Sequence, residues 1–364
     1  MDRPPRLLAL ASSVLFAACS GGDSAGPPDT NPPPFQLQCT VPTEQIFSGG
    51  VARDGIMALT NSDITDANSV FQLLDNDRVL GVEINGTARA YPLGILWRHE
   101  VVNDTLGGEN LLLSYCPLTG SGIAFDPAID GTVRNFGVSG LLFENNLIMF
   151  DREMESLWNQ MSLGSQCGPD RGKQFKRRPI METTWGHWKA LHPNTTVLTR
   201  NTGFTTLPYG VYPYGDYDDL NNSERLLPGS TFSSARPPKE LGLGVYDNLD
   251  SVVVFPFGSL DSAGSFVAMN ETIGSLPFLV TYVRAEQTAF AFDRRVNGQT
   301  LTFTVSNAVT REFQDAETGS TWDQSGTAIA GSMTGQTLTP LNNAYVAFWF
   351  AWSVYYKTNI RLVQ

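Results

Sequence analysis

Ser114-Tyr115-Cys116-Pro117-Leu118-Thr119-Gly120-Ser121-Gly122-Ile123-Ala124-Phe125-Asp126 reads as strand, loop and strand, with a thiol held at the turn. The apolar run Leu111-Leu112-Leu113 leads into it. On its N-terminal side, Arg78–Ile84 and Ala88–Leu93 flank Asn85-Gly86, the strongest short signal for a β-hairpin. Further β-type runs at Asn110–Tyr115, Gly122–Phe125, Val133–Val138 and Leu147–Phe150 are each bounded by Gly, Asn or Asp. Strands this short and frequent predict a mainly β fold with minor α, its antiparallel sheets packed as a sandwich or a partly open barrel. Gln36–Phe47 is expected as an entry strand, and Thr184–Leu191 as a helix closed by Pro193.

The stretch has a second version further along. Tyr91-Pro92-Leu93-Gly94-Ile95-Leu96 matches Phe255-Pro256-Phe257-Gly258-Ser259-Leu260, and Ile123-Ala124-Phe125-Asp126 matches Phe290-Ala291-Phe292-Asp293. Phe136-Gly137-Val138-Ser139 matches Phe303-Thr304-Val305-Ser306, and Ser156-Leu157-Trp158-Asn159-Gln160 matches Ser320-Thr321-Trp322-Asp323-Gln324. The aromatic segment Trp185–Thr195 matches Phe348–Thr358, and the offset stays between about 163 and 167 residues throughout. Ordered matches at one offset predict two tandem copies of a β-rich antiparallel unit, 39–202 and 241–364, each ending in an aromatic helix. Residues 203–240, rich in Pro, Gly, Tyr and Asp, read as a connecting segment.

Composition bounds the partners. Of 364 residues, 41% are hydrophobic and only 16% charged, against roughly 25% charged in an average domain, which suits a loop-rich β protein. A formal net charge of −12 argues against nucleic acid as a partner. The first 18 residues read as a signal peptide: Arg3 and Arg6 precede the apolar stretch Leu7–Phe16, and small residues lead to Cys19. This pattern resembles a bacterial lipoprotein signal, with Cys19 as the lipidated first mature residue and 19–38 as a flexible tether. The expectation is a body anchored to the cell envelope by lipid at Cys19, facing the periplasm or the exterior.

Three further cysteines remain, Cys39, Cys116 and Cys167, and an oxidising envelope permits one disulfide. Sequence alone does not decide the pairing; Cys39 with Cys167, leaving Cys116 free, is the expectation adopted. Features present in both copies are assigned to the fold: Trp158 and Trp322, Gln160 and Gln324, Asp126 and Asp293. Cys116 corresponds to Val283, and all three histidines, His99, His187 and His192, lie in the first copy. Cys116, His99 and Thr119 are therefore the candidate catalytic residues, because an imidazole near a thiol favours the thiolate and a hydroxyl can hydrogen-bond it. His99 with Cys116 is the candidate metal pair. The sequence names no cofactor.

Asp77–Val82, Ala88–Leu93, His99–Asp104, Tyr115–Leu118, Phe136–Gly140, Asp151–Glu153, Ser156–Trp158 and Pro237–Glu240 together resemble a bacterial family catalogued as domain of unknown function 3179. The likeness covers nearly all of the mature chain. The family's usual pattern has Cys, or selenocysteine, where this chain has Thr119. That second position implies redox chemistry for the family, and Thr119 leaves Cys116 as a monothiol. The expected role is a binding or scaffold module with a degenerate redox-type site at Cys116. The alternative is a thiol-redox or metal-linked enzyme using Cys116 with His99.

Overall fold

The computed structural model describes residues 38–247 and 251–364. The expected signal peptide, Cys19 and the tether up to residue 37 lie outside the described residues. The chain enters through three short strands, β1 (Ile46–Ser48), β2 (Leu59–Thr60) and β3 (Ile64–Asp66). A hairpin of β4 (Arg78–Ile84) and β5 (Thr87–Pro92) follows, then helix α1 (Leu93–His99). A meander comes next, of β6 (Val101–Leu106), β7 (Glu109–Cys116) and β8 (Ser121–Asp126). The ribbon β9 (Ala128–Ile129) and β10 (Thr132–Val133) leads to β11 (Phe136–Phe143), β12 (Asn146–Asp151), β13 (Leu157–Asn159) and β14 (Gly164–Cys167). The strands β15 (Lys176–Arg178) and β16 (Met181–Thr184), helix α2 (Trp185–Leu191) and β17 (Thr196–Leu198) close the first half.

After residues 203–240, β18 (Leu241–Asp247) and β19 (Ser251–Pro256) form a hairpin, followed by α3 (Phe257–Ala263). The meander β20 (Phe266–Ile273), β21 (Leu276–Val283) and β22 (Thr288–Asp293) precedes a ribbon of β23 (Arg295–Val296) and β24 (Gln299–Thr300). The strands β25 (Phe303–Asn307), β26 (Glu312–Asp315), β27 (Thr321–Asp323), β28 (Ala328–Ala330) and β29 (Thr339–Pro340) come next. The chain ends with β30 (Ala344–Phe348), α4 (Trp349–Tyr355) and β31 (Ile360–Leu362). Hairpin, helix, meander, ribbon and four consecutive antiparallel strands thus follow one another in the same order in both halves. In each, the last strand pairs in parallel with the second hairpin strand, β17 with β5 and β31 with β19.

The strands form a mainly β fold of several largely antiparallel sheets without a closed barrel. The first half supplies the orders β1-β11-β12-β13-β14, β15-β8-β7-β6-β2 and β16-β4-β5-β17-β3. The second supplies β30-β18-β19-β31, β20-β21-β22-β29 and β25-β26-β27-β28. The largest core draws on both halves, with Leu112, Leu113 and Cys116 in the same cluster as Tyr246, Phe348 and Trp352.

Local chemistry explains the main elements. Asn85 and Gly86 both take positive φ (52° and 75°), the turn that matches the twist of a tight hairpin. Trp188 of α2 lies flat on β4 because position 81 is Gly: a Cβ there would sit 2.3 Å from the indole. Trp352 of α4 does the same over Gly244, with 2.4 Å to the hypothetical Cβ. Both Trp158 and Trp322 donate their indole N–H to the aspartate that ends the preceding strand, Asp151 and Asp315, at 2.8 Å. A disulfide joins Cys39 to Cys167 and leaves Cys116 free, as expected.

Two element expectations need correction. Leu93 starts helix α1 instead of ending a strand, since the fixed backbone of Pro92 caps the helix from an extended conformation. The entry strand begins only at Ile46, because Pro42 opens a single 3-10 turn over Thr43–Gln45. Among the described residues no helix is long and apolar enough to cross a membrane.

Candidate functional site

The turn between β7 and β8 is built as a sealed unit. Gly120 has φ 58°, and a Cβ on it would lie 2.9 Å from the Phe348 ring, so both backbone and packing demand glycine. The Cys116 carbonyl accepts from Thr119 N at 3.3 Å and the Thr119 carbonyl from Phe348 N at 2.9 Å. Pro117 O accepts from the Tyr212 hydroxyl at 3.3 Å and Leu118 O from the Tyr217 hydroxyl at 2.9 Å. The four carbonyls from Cys116 to Thr119 are thus taken, two of them by tyrosines of the connecting segment. Lys239 braces that segment: it is buried, its Nζ donates to Glu224 O at 2.8 Å, and it sits 3.3 Å over the Tyr217 ring. Burial pulls its ammonium down to about 8.

Beneath the turn lies a network of fully buried polar side chains. Thr119 Oγ1 is 2.8 Å from Ser121 Oγ and accepts from Asn146 Nδ2 at 2.9 Å. Gln160 ties the network together. Its Oε1 accepts from Ser121 Oγ and Asn146 Nδ2, both at 2.7 Å, and its Nε2 donates to Ser114 Oγ and Ser121 O, both at 3.0 Å. Replacing Gln160 with Leu strands several of these groups in a dry interior, and we expect a loss of about 3 kcal/mol in urea unfolding. The same change at partly exposed Gln324, which bonds His187 and Arg311, should cost about 1 kcal/mol. Equal losses at the two positions would contradict this role for Gln160.

The thiol of Cys116 sits in this sealed region, 1% exposed, with its S–H directed to the Asn145 carbonyl at 3.8 Å. Burial pushes it up to about 11; the nearby Glu100 carboxylate adds repulsion, and hydrogen bonding from Thr119 only partly offsets both. The thiol is therefore neutral at physiological pH.

Thr119 does stand beside Cys116. No hydrogen bond joins His99 to the thiol. His99 Nδ1 lies 2.6 Å from the Met57 carbonyl, which can only accept, so Nδ1 carries the proton. Its Nε2 then accepts from the Tyr209 hydroxyl at 2.6 Å, and burial holds the ring neutral by lowering its pKa. Both nitrogens are occupied, and among the described residues no group of three or more His, Cys, Asp and Glu side chains could hold a metal ion. His187 bridges the halves through Thr183 and Gln324, and His192 faces Glu83 at 3.4 Å.

Glu100, the neighbour of His99, is the residue the sequence did not single out. It ends α1 with φ 56° and ψ −32°, a sparsely populated backbone for a non-glycine residue. Glu100 is 6% exposed and its side chain has no hydrogen-bond or ion-pair partner among the described residues, and desolvation pushes its carboxyl up to about 8. Besides Cys116, its charge acts on Tyr214 of the connecting segment.

An open site lies at the other end of α1. A cleft of about 590 Å³ is lined by Phe71, Leu93, Ile95, Trp97, Leu198 and Arg200, among others. Gly94 and Gly210 approach closely there, with Gly210 N donating to Gly94 O at 3.2 Å, and a Cβ on Gly210 would press on the Arg200 guanidinium. Arg200 is the one ionised side chain of the lining without a hydrogen-bond or ion-pair partner among the described residues. Asp63 bonds Asn201, Asp77 accepts from Leu74 N, and Arg78 pairs with Glu182.

A family model described as "Protein of unknown function (DUF3179)" matches residues 53–359, which takes in the turn, the cleft and both halves. The chain belongs to the DUF3179 family. No curated protein and no solved structure matches it. The description of DUF3179 carries no activity, so function has to be read from the geometry of the turn and the cleft.

Proposed function

We propose that this chain is a binding module of the cell envelope, held by lipid at Cys19, that takes a small amphipathic molecule with an acidic group in the cleft beside α1. The observation that carries the reading is the contrast between the two sites. At the Cys116 turn, the backbone carbonyls of residues 116–119 and each polar side chain of the network beneath already have partners. The cleft is open, lined by apolar and polar side chains in similar number, within the usual size of ligand pockets, and has in its lining a guanidinium without a partner among the described residues. Phe71 on its lining is 93% exposed, an apolar contact offered to something outside the fold. The turn then serves as the structural centre that fixes α1 and the connecting segment around the cleft.

Dodecanoate is a suitable probe. Its titration should change the Trp97 fluorescence saturably, with the signal lost in Trp97→Phe and affinity falling about tenfold in Arg200→Glu, as for a lost charge-assisted contact. Equal binding of dodecanoate and dodecyltrimethylammonium, or none of either, would remove the basis for the reading. Thiol chemistry at Cys116 has one supporting observation, the unpartnered Glu100 carboxyl near the sulfur, which could take its proton. That reading requires the thiol to ionise against its burial.

A further inference from the structure

Three phenol hydroxyls in the second half have no hydrogen bond of good geometry among the described residues: Tyr246 on β18, which the Arg177 side chain only approaches, Tyr345 on β30 and Tyr356 just beyond α4. None of the three residues is more than 4% exposed. They share one cluster. The Tyr246 ring centroid lies 5.7 Å from that of Tyr345 and 6.4 Å from that of Tyr356, while Trp352 packs against Tyr345 at 4.5 Å and Tyr356 at 5.8 Å. Buried hydroxyls are almost always paired, so three clustered hydroxyls without a well-formed bond call for a common partner.

A cation faces them from the first half. The Arg177 guanidinium on β15 lies 5.1 Å from the Tyr246 ring centroid, and its charge acts on all three phenols. Among the described residues Arg177 has no carboxylate within ion-pair distance, unlike Arg178 beside it, which pairs with Glu109. Two aspartates share a cleft of about 300 Å³ with Arg177 and Tyr246. Asp293 is held by Arg295, at 2.6 Å. Asp247, adjacent to Tyr246 along β18, points to the opposite face of the strand, where its carboxylate overlies Gly274.

The first half shows that the tryptophan-on-glycine packing does not itself require phenols. Met181 pairs with Gly81 as Tyr345 pairs with Gly244. Glu83 stands two residues past Gly81 as Tyr246 does past Gly244, and His192 four past Trp188 as Tyr356 does past Trp352. There Glu83 and His192 meet each other at 3.4 Å.

We propose that Tyr246, Tyr345, Tyr356 and Arg177 hold a compact inorganic anion of halide size between the two halves of the chain. Each hydroxyl can turn its proton to a shared acceptor, and a negative charge also compensates the guanidinium, which a neutral water does not. Because β15 belongs to the first half and the phenols to the second, the anion stabilises the docking of one on the other.

The test uses the full chain. Tm is measured in chloride, bromide and gluconate at matched ionic strength, so that general screening cancels, and wild-type crystals are grown in bromide. Tm should rise with chloride and with bromide over gluconate, and bromide should give an anomalous peak within hydrogen-bonding reach of the phenols. Tyr345→Phe and Arg177→Gln should each weaken the halide effect about tenfold or more. Identical Tm in the three salts, or a water in place of the bromide peak, overturns the proposal. The wild-type measurements decide the matter even if a variant fails to fold.

Discussion

Glu100→Gln is expected to make the protein more stable at pH 8 than the wild type, with the advantage vanishing near pH 4.5. In the folded chain burial pushes the Glu100 carboxyl up to about 8, from an ordinary value of 4.5. Between those limits the folded state keeps a proton that the unfolded state has released. Wild-type stability therefore falls as pH rises through this window, by about 1.4 kcal/mol per pH unit at most, and this contribution levels off above pH 8. Glutamine fills the same space without a charge to desolvate, so the variant lacks the slope. His99, His187 and His192 are all held below their usual 6.5 by burial and act in the opposite sense, losing stability as pH falls. Their effect is common to both proteins and cancels in the difference. Urea unfolding at several pH values checks this, and parallel curves for the two proteins would show that Glu100 is hydrated or paired.

What could be read from the sequence was whatever rests on local chemistry. Asn85-Gly86 announces its hairpin because the turn needs positive φ at both positions, and Thr184–Leu191 announces α2 because Pro193 cannot continue a helix. Cys116 and Thr119 could be placed together because three residues span one turn. Helix α1 was hidden: its seven residues follow Pro92 within an apolar run that has the look of a strand. Position in sequence suggested His99 as the group facing the thiol, whereas Glu100 is the neighbour whose charge reaches it. Side-chain direction at a helix end depends on backbone φ, and the turn to φ 56° at Glu100 is not written in residue types.

The connecting segment misled for a related reason. Pro, Gly and Asp mark it as loop, which it is, yet Tyr212 and Tyr217 seal the Cys116 turn and Asn145 grips Leu227 through both N–H and C=O. The cleft could not be foreseen at all, because it is assembled from residues around 63–78, 92–97, 198–201 and 210. Only the sheet order brings these segments together.

Cys116 is a shielded, neutral thiol inside a structural turn. Relative to an exposed cysteine of ordinary acidity, near 8.5, a thiol held at about 11 has little thiolate at pH 8. Its alkylation should be slower by about a hundredfold or more, and slower still through lack of access. Unfolding in urea should restore the ordinary rate. The decisive measurement is the pH dependence of iodoacetamide labelling of the Cys116 peptide in the native protein, followed by mass spectrometry. The expected result is a midpoint near 11 with slow labelling at pH 8. A midpoint below about 8.5 with labelling as fast as a free thiol would contradict it and return Cys116 to the centre of the function.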